Sequence, residues 1–209
     1  ADELSAASSG PALPVAEQVE AARAAVGDDL PLVAVRPAAP DDGGVGETTR
    51  VMFDDGRTDA SRTLAVAEEV ADQLAAVTGA QRDETIDLAD VAKRVFDFPS
   101  AEVEALLERV ARPGILVIAT PTYKASYTGL LKAFLDRYGT NGLAGVTAIP
   151  VFTIGSPAHA LAVEHTLRPL LVELGASVPT RGLAFPTARF DERAEVVAEW
   201  LEAQKASLV

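Results

Sequence analysis

Three short stretches of the 209-residue chain carry side chains with useful chemistry. The first is Asp55-Gly56-Arg57-Thr58-Asp59-Ala60-Ser61-Arg62-Thr63, which sets hydroxyls and guanidinium groups just ahead of a helical pattern. A helix N-terminus offers unpaired N–H groups and the positive end of a dipole, so Arg57, Ser61, Arg62 and Thr63 suit a phosphate there. Ser61 also reads as an ordinary N-cap, which needs no ligand. The second stretch, Pro121-Thr122-Tyr123-Lys124-Ala125-Ser126-Tyr127, gathers two tyrosines, a lysine and small residues. The third runs from Thr153 through Ile154, Gly155, Ser156, Pro157 and Ala158 to His159. Gly155 permits close backbone approach to a flat ligand, and Pro157 in a first helical turn leaves N–H groups for a ligand or a cap. His159 reads either as a ligand contact or as a structural histidine on a helix.

Composition removes several chemistries. The chain has no cysteine, which excludes disulfides, thiolate catalysis and Cys-based metal sites. His159 and His165 stand six residues apart on one helical pattern and do not share a face, so no metal site is expected. No Ser-His-Asp arrangement is argued by spacing. The formal net charge of −13 makes nucleic acid a poor partner, because phosphate neutralisation needs Lys and Arg. No apolar run approaches a membrane span. With no basic-then-apolar start, a cytoplasmic location is expected.

The elements around these stretches alternate between strand and helix. Ile115-Leu116-Val117-Ile118-Ala119, bounded by Pro113-Gly114 and Thr120-Pro121, predicts a strand buried on both faces. From about Ser126 the period changes, and Leu130, Leu131, Phe134, Leu135 and Tyr138 mark one helix face. Upstream, Ser61 to Val77 predicts a helix ended by Thr78-Gly79, and Glu84 to Leu88 a strand. Ser100 caps a helix over 101–111. Downstream come a strand over 146–152, a helix over 157–174, a strand within 177–185 and a helix over 191–208. The first strand has two candidates, Leu32 to Val35 or Arg50-Val51-Met52-Phe53, and the second runs straight into the Asp55 loop. On that choice residues 1–49 form an N-terminal extension, partly flexible, with a helix over 15–26 and a linker over 37–49; residues 50–209 form the domain. This pattern predicts an α/β, doubly wound, five-stranded parallel sheet of flavodoxin-like order 2-1-3-4-5. In such sheets ligands sit beyond the carboxyl ends of the strands, where all three stretches fall.

Two segments resemble a known family. The stretch TPTYKASYTGLLKAFLD from Thr120 to Asp136 is similar to the flavin loop of the NAD(P)H-dependent FMN reductases, in the branch serving two-component monooxygenases. Gly155-Ser156-Pro157-Ala158-His159, followed by Arg168-Pro169, resembles a second segment of that family in the same order. The resemblance implies FMN and NAD(P)H as cofactors, with hydride transfer to flavin N5 and no catalytic side chain. It places the cofactors at Pro121, Thr122, Tyr123, Lys124, Ser126, Thr153, Gly155, Ser156 and His159, with Lys124 facing solvent to steer an anionic cofactor such as the nicotinamide phosphates, His159 at the flavin rim or nicotinamide, and the FMN phosphate at Arg57, Ser61, Arg62 and Thr63. It also implies a homodimer or homotetramer, with Tyr127 as an inserted residue that makes a π-bulge at the oligomer interface, and a flavin-dependent monooxygenase as partner. Asp54, Asp55 and Asp59 set like charges beside a phosphate. They keep open a non-catalytic scaffold that has lost FMN, beside a quinone or azo reductase and a flavodoxin-like electron carrier.

Overall fold

The computed structural model describes residues 48–54 and 61–208. The proposed helix and strand within residues 1–47, and Arg57 in the first loop, lie outside the described residues. Five parallel strands form one sheet in the order β2-β1-β3-β4-β5. They are β1 (Thr48–Phe53), β2 (Gln81–Asp87), β3 (Gly114–Pro121), β4 (Val146–Ile154) and β5 (Leu183–Pro186). This is the flavodoxin-like order that the strand–helix alternation predicts. Arg50 to Phe53 forms part of the first strand, which starts two residues earlier at Thr48.

Side-chain alternation splits the core into two layers. On one face, Ile115, Val117 and Ala119 of β3 meet α1 (Arg62–Thr78) and α5 (Arg193–Gln204) through Val66, Val70, Leu74, Val197 and Leu201. On the other, Leu116 and Ile118 meet α2 (Ala101–Val110), α3 (Gly129–Leu135) and α4 (Arg168–Glu173) through Val103, Leu106, Leu131, Phe134 and Leu171. Helices on both faces explain why β3 and β4 read as unbroken apolar runs. Tyr138 closes the second layer: its hydroxyl donates to the Leu107 carbonyl at 2.8 Å, and its ring stands edge-on to Phe134. Burial pushes the Tyr138 phenol pKa up, so it remains a donor.

Several boundaries differ from those the sequence predicts. β2 starts at Gln81 rather than Glu84, because an edge strand pairs only with β1 and tolerates polar residues. Ser100 sits at the N-cap of α2 but makes no side-chain cap; the Glu104 carboxylate instead accepts from the Ser100 N–H at 3.3 Å. The helix expected over 157–174 is broken into a 3-10 turn at Pro157–His159, a π turn at Val163–Leu167 and α4. Gly182 lies so close that a Cβ there would meet Val163 Cγ2 at 2.5 Å. Glu164 accepts from the Gly182 N–H at 2.5 Å, while Arg168 donates to the carbonyls of Val178 (2.7 Å) and Thr180. These contacts bind the widened turn to the segment entering β5. The helix after Tyr127 begins at Gly129, not near Ser126, with Thr128 as its cap. Its turns are α, so among the described residues the π turn lies at Val163–Leu167 and not at Tyr127.

Candidate functional site

Where the carboxyl ends of β1, β3 and β4 meet, five threonines and one aspartate tie the second and third loops to the described ends of the first. Asp54 follows β1 directly and is buried. Its N–H donates to the Ala119 carbonyl at 3.1 Å, and its carboxylate accepts from the Thr128 hydroxyl. The Thr128 oxygen also caps α3, accepting from the Leu131 N–H at 3.2 Å. The Thr128 N–H donates to Thr120 Oγ1 at 3.3 Å. One threonine thus anchors the far end of the Pro121–Tyr127 loop to both β1 and β3. The near end is held by the Thr122 N–H, which donates to the Thr153 carbonyl at 3.0 Å. On the opposite face, Thr63 in the first turn of α1 and Thr153 share a buried hydroxyl–hydroxyl bond of 2.9 Å.

The residues expected to bind a cofactor therefore separate into groups. Ser61 caps α1, its oxygen accepting from the Leu64 N–H at 2.9 Å. Thr63 faces Thr153, not outward. Arg62 is exposed, and its guanidinium lies 5.5 Å from the Phe190 ring centroid, toward the segment after β5. Asp54, read from sequence as a charge crowding a phosphate, is instead built into the fold through Thr128. Neither the Thr63–Thr153 bond nor the Asp54–Thr128 bond is legible from sequence, because the partners stand 90 and 74 residues apart.

Between Pro121 and Tyr127 the chain turns sharply. Tyr123 and Ser126 exchange backbone hydrogen bonds of 3.0 and 3.1 Å, and Lys124 and Ala125 between them both have positive φ. Tyr123 is 55% exposed, and Lys124 and Ala125 are exposed as well. Tyr127 is half-buried against the core beside α3. In the third loop, Ser156 Oγ accepts from the Ala158 N–H at 3.3 Å. His159 ends the short 3-10 turn and is half-buried. A Cβ on Gly155 would meet no atom within 4 Å, so this glycine borders open space.

These residues fit a flavin on one specific ground. Thr122 Oγ1 is buried and has no hydrogen-bond partner, although it sits in the loop between β3 and α3. A buried hydroxyl left unpaired costs free energy that a polar ligand edge can recover. The same edge carries the N-terminus of the 17-residue helix α1, whose first N–H groups suit a phosphate. Among the described residues, no group of three or more His, Asp or Glu is placed to hold a metal ion. No helix among them is long and apolar enough to cross a membrane.

Comparison with known proteins gives consistent matches. The sequence model of the family described as NADPH-dependent FMN reductase matches residues 54–189. The NADH-dependent FMN reductase SfnE of Pseudomonas putida is 32% identical over 152 residues, covering 70% of this chain and 77% of that protein. An FMN reductase (NADPH) of the same species is 40% identical over 86 residues, covering 41% of this chain and 44% of that protein. Apart from SfnE, the chain spans about half the length of the curated relatives it matches. Among solved structures, the apo form of the NADH:FMN oxidoreductase EMOB superposes with a TM-score of 0.67 at 30% identity, covering 78% of this chain and 88% of that one.

Proposed function

The chain belongs to the NADPH-dependent FMN reductase family, and from that premise we propose that it reduces FMN at the expense of NAD(P)H. The observation that carries this reading is the meeting of the second and third loops with the N-terminus of α1 at the carboxyl edge of the sheet, pinned by the Thr122–Thr153 and Thr63–Thr153 bonds. When FMN and NAD(P)H are bound, the chemistry is theirs: a hydride passes to flavin N5, oxidising the dinucleotide and reducing the flavin by two electrons. The protein's part is placement. Thr122 offers an unpaired hydroxyl, the 121–127 loop offers backbone groups and the ring of Tyr123, and the α1 N-terminus with Ser61 offers the phosphate seat. Thr63, Thr120, Thr128 and Asp54 act behind them by fixing the loops.

Release of the reduced flavin to a monooxygenase fits the branch that the Thr120–Asp136 stretch resembles. Dependence on NAD(P)H fits a cytoplasmic site of action. Tyr127 is the proposed oligomer contact: deleting it shifts a tetramer toward dimer in sedimentation, and an unchanged assembly rejects that role. The reductase reading is tested anaerobically with purified protein, excess NADPH or NADH and added FMN, following the oxidised-flavin band. Bleaching over many turnovers is expected. No bleaching together with no quenching of flavin fluorescence would leave a scaffold without flavin; quenching without bleaching would indicate an electron carrier.

A further inference from the structure

The hairpin at the tip of the second loop holds two side chains where L-residues rarely sit. Tyr123 and Ser126 pair through both backbone hydrogen bonds, and Lys124 and Ala125 have φ of 52° and 59°. This is a type I′ two-residue turn, whose central positions favour Asn-Gly or Gly-Gly because a Cβ is disfavoured at positive φ. Non-glycine residues persist in such conformations when the surroundings over-determine them, most often at ligand contacts. The surroundings here do so. Thr122 N–H to Thr153 carbonyl holds one side of the hairpin, and Thr128, through Thr120 and Asp54, holds the other. The result is a stiff projection at the carboxyl edge with an exposed ring, Tyr123, and an exposed ammonium, Lys124.

The charge environment gives the ammonium a use. The chain carries 31 Asp and Glu against 18 Lys and Arg, so its field repels a polyanionic dinucleotide. Most cations among the described residues are occupied by carboxylates, as Lys132 is by Asp136, Arg168 by Glu164 and Arg189 by Glu192. Lys124 has no carboxylate partner among the described residues. An exposed cation next in sequence to an exposed aromatic ring matches the two ends of a nicotinamide nucleotide, one anionic and one planar.

We propose that Lys124, thrown outward by this strained turn, is a specificity-determining residue that contacts a phosphate group of the nicotinamide dinucleotide. The inference rests on the reading of this edge as a site for FMN and NAD(P)H. Its test is binding rather than turnover: NADP+ and NAD+ are titrated calorimetrically into wild type, Lys124→Gln and Lys124→Arg at saturating FMN, and FMN affinity is measured separately by fluorescence quenching. Loss of one charge-assisted phosphate contact predicts dinucleotide affinity about tenfold weaker, or more, in Lys124→Gln. FMN affinity stays unchanged and Lys124→Arg recovers dinucleotide binding. Raising the salt weakens wild type more than Lys124→Gln. Ala125→Gly, which keeps the ammonium and relieves the turn, raises the thermal midpoint and leaves dinucleotide affinity in place, whereas a merely structural turn would move both together. Unchanged dinucleotide affinity in Lys124→Gln overturns the proposal. So does an equal loss of FMN affinity, which would put the ammonium on the flavin phosphate. Lys124-dependent NADP+ binding by a protein that fails to reduce FMN would sink the reductase reading and leave this assignment standing.

Discussion

Replacing Thr128 by valine keeps the shape of the side chain and removes one hydroxyl. That hydroxyl has two partners. Its oxygen accepts from the Leu131 N–H at 3.2 Å as the cap of α3, and its hydrogen goes to the buried Asp54 carboxylate. Loss of a threonine cap costs about 0.5–2 kcal/mol. A hydrogen bond to a charged group is worth about 1.5–3 kcal/mol. Both pass through one atom, so the two do not simply add; a loss of about 2–4 kcal/mol is expected. For a chain of this size each kcal/mol moves the midpoint by about 2–4 °C, so Tm falls by roughly 5–15 °C. Urea denaturation followed by far-UV circular dichroism measures it, with the slope m unchanged and the midpoint lowered. Thr128→Ser keeps the hydroxyl and should recover most of the loss. A valine variant within about 0.5 kcal/mol of wild type would refute the argument. So would a serine variant as unstable as the valine one, since the hydroxyl would then not be the cause.

Three further substitutions test other parts of the account. Gly182→Ala drives a Cβ to 2.5 Å from Val163 Cγ2, on a β-branched residue with little rotamer freedom; a loss of about 1–3 kcal/mol in urea is expected, partly recovered by Val163→Ala in the same chain. Tyr138→Phe removes the donor to the Leu107 carbonyl and should cost about 1 kcal/mol, read by the same denaturation. Glu84 is held below its ordinary pKa of 4.5, chiefly by the hydrogen bond from Arg109 and then by the charges of Arg109 and Arg112. A carboxylate lowered on folding contributes stability that is full above its unfolded pKa and is lost as the pH falls through the folded value. The gap between wild type and Glu84→Gln should therefore be widest near neutrality and close once the pH is well below 4.5. A gap that persists in acid would mean the pair does not act through ionisation.

The parts of the fold that sequence shows are those where one physical cause dominates. Ile115 to Ala119 is buried on both faces, so its apolar run is unbroken, and the change of period after Tyr127 follows from a strand giving way to a helix. β2 is harder to see, because an edge strand with only one of its seven residues buried needs no apolar pattern. The break in the 157–174 segment follows from a contact between Val163 and Gly182, which no local propensity records. The same limit applies at the site. Pro121 to Tyr127 is recognisable as the loop at the carboxyl end of β3, where a ligand is expected, and Ser61 as a cap from its place before α1. The I′ geometry at Lys124-Ala125 is invisible in residue types that disfavour it. Asp54 looks like a charge crowding a phosphate, and Thr63 like a group for one, until their partners, Thr128 and Thr153, are brought up from distant parts of the chain.

The most direct measurement is a crystal structure of the protein with FMN bound. The account predicts the isoalloxazine against the backbone of residues 121–127 and 153–159, with Thr122 Oγ1 satisfied by the ligand and the phosphate at the N-terminus of α1. Flavin seated elsewhere on the molecule, or Thr122 Oγ1 still unpaired beneath it, would contradict the account.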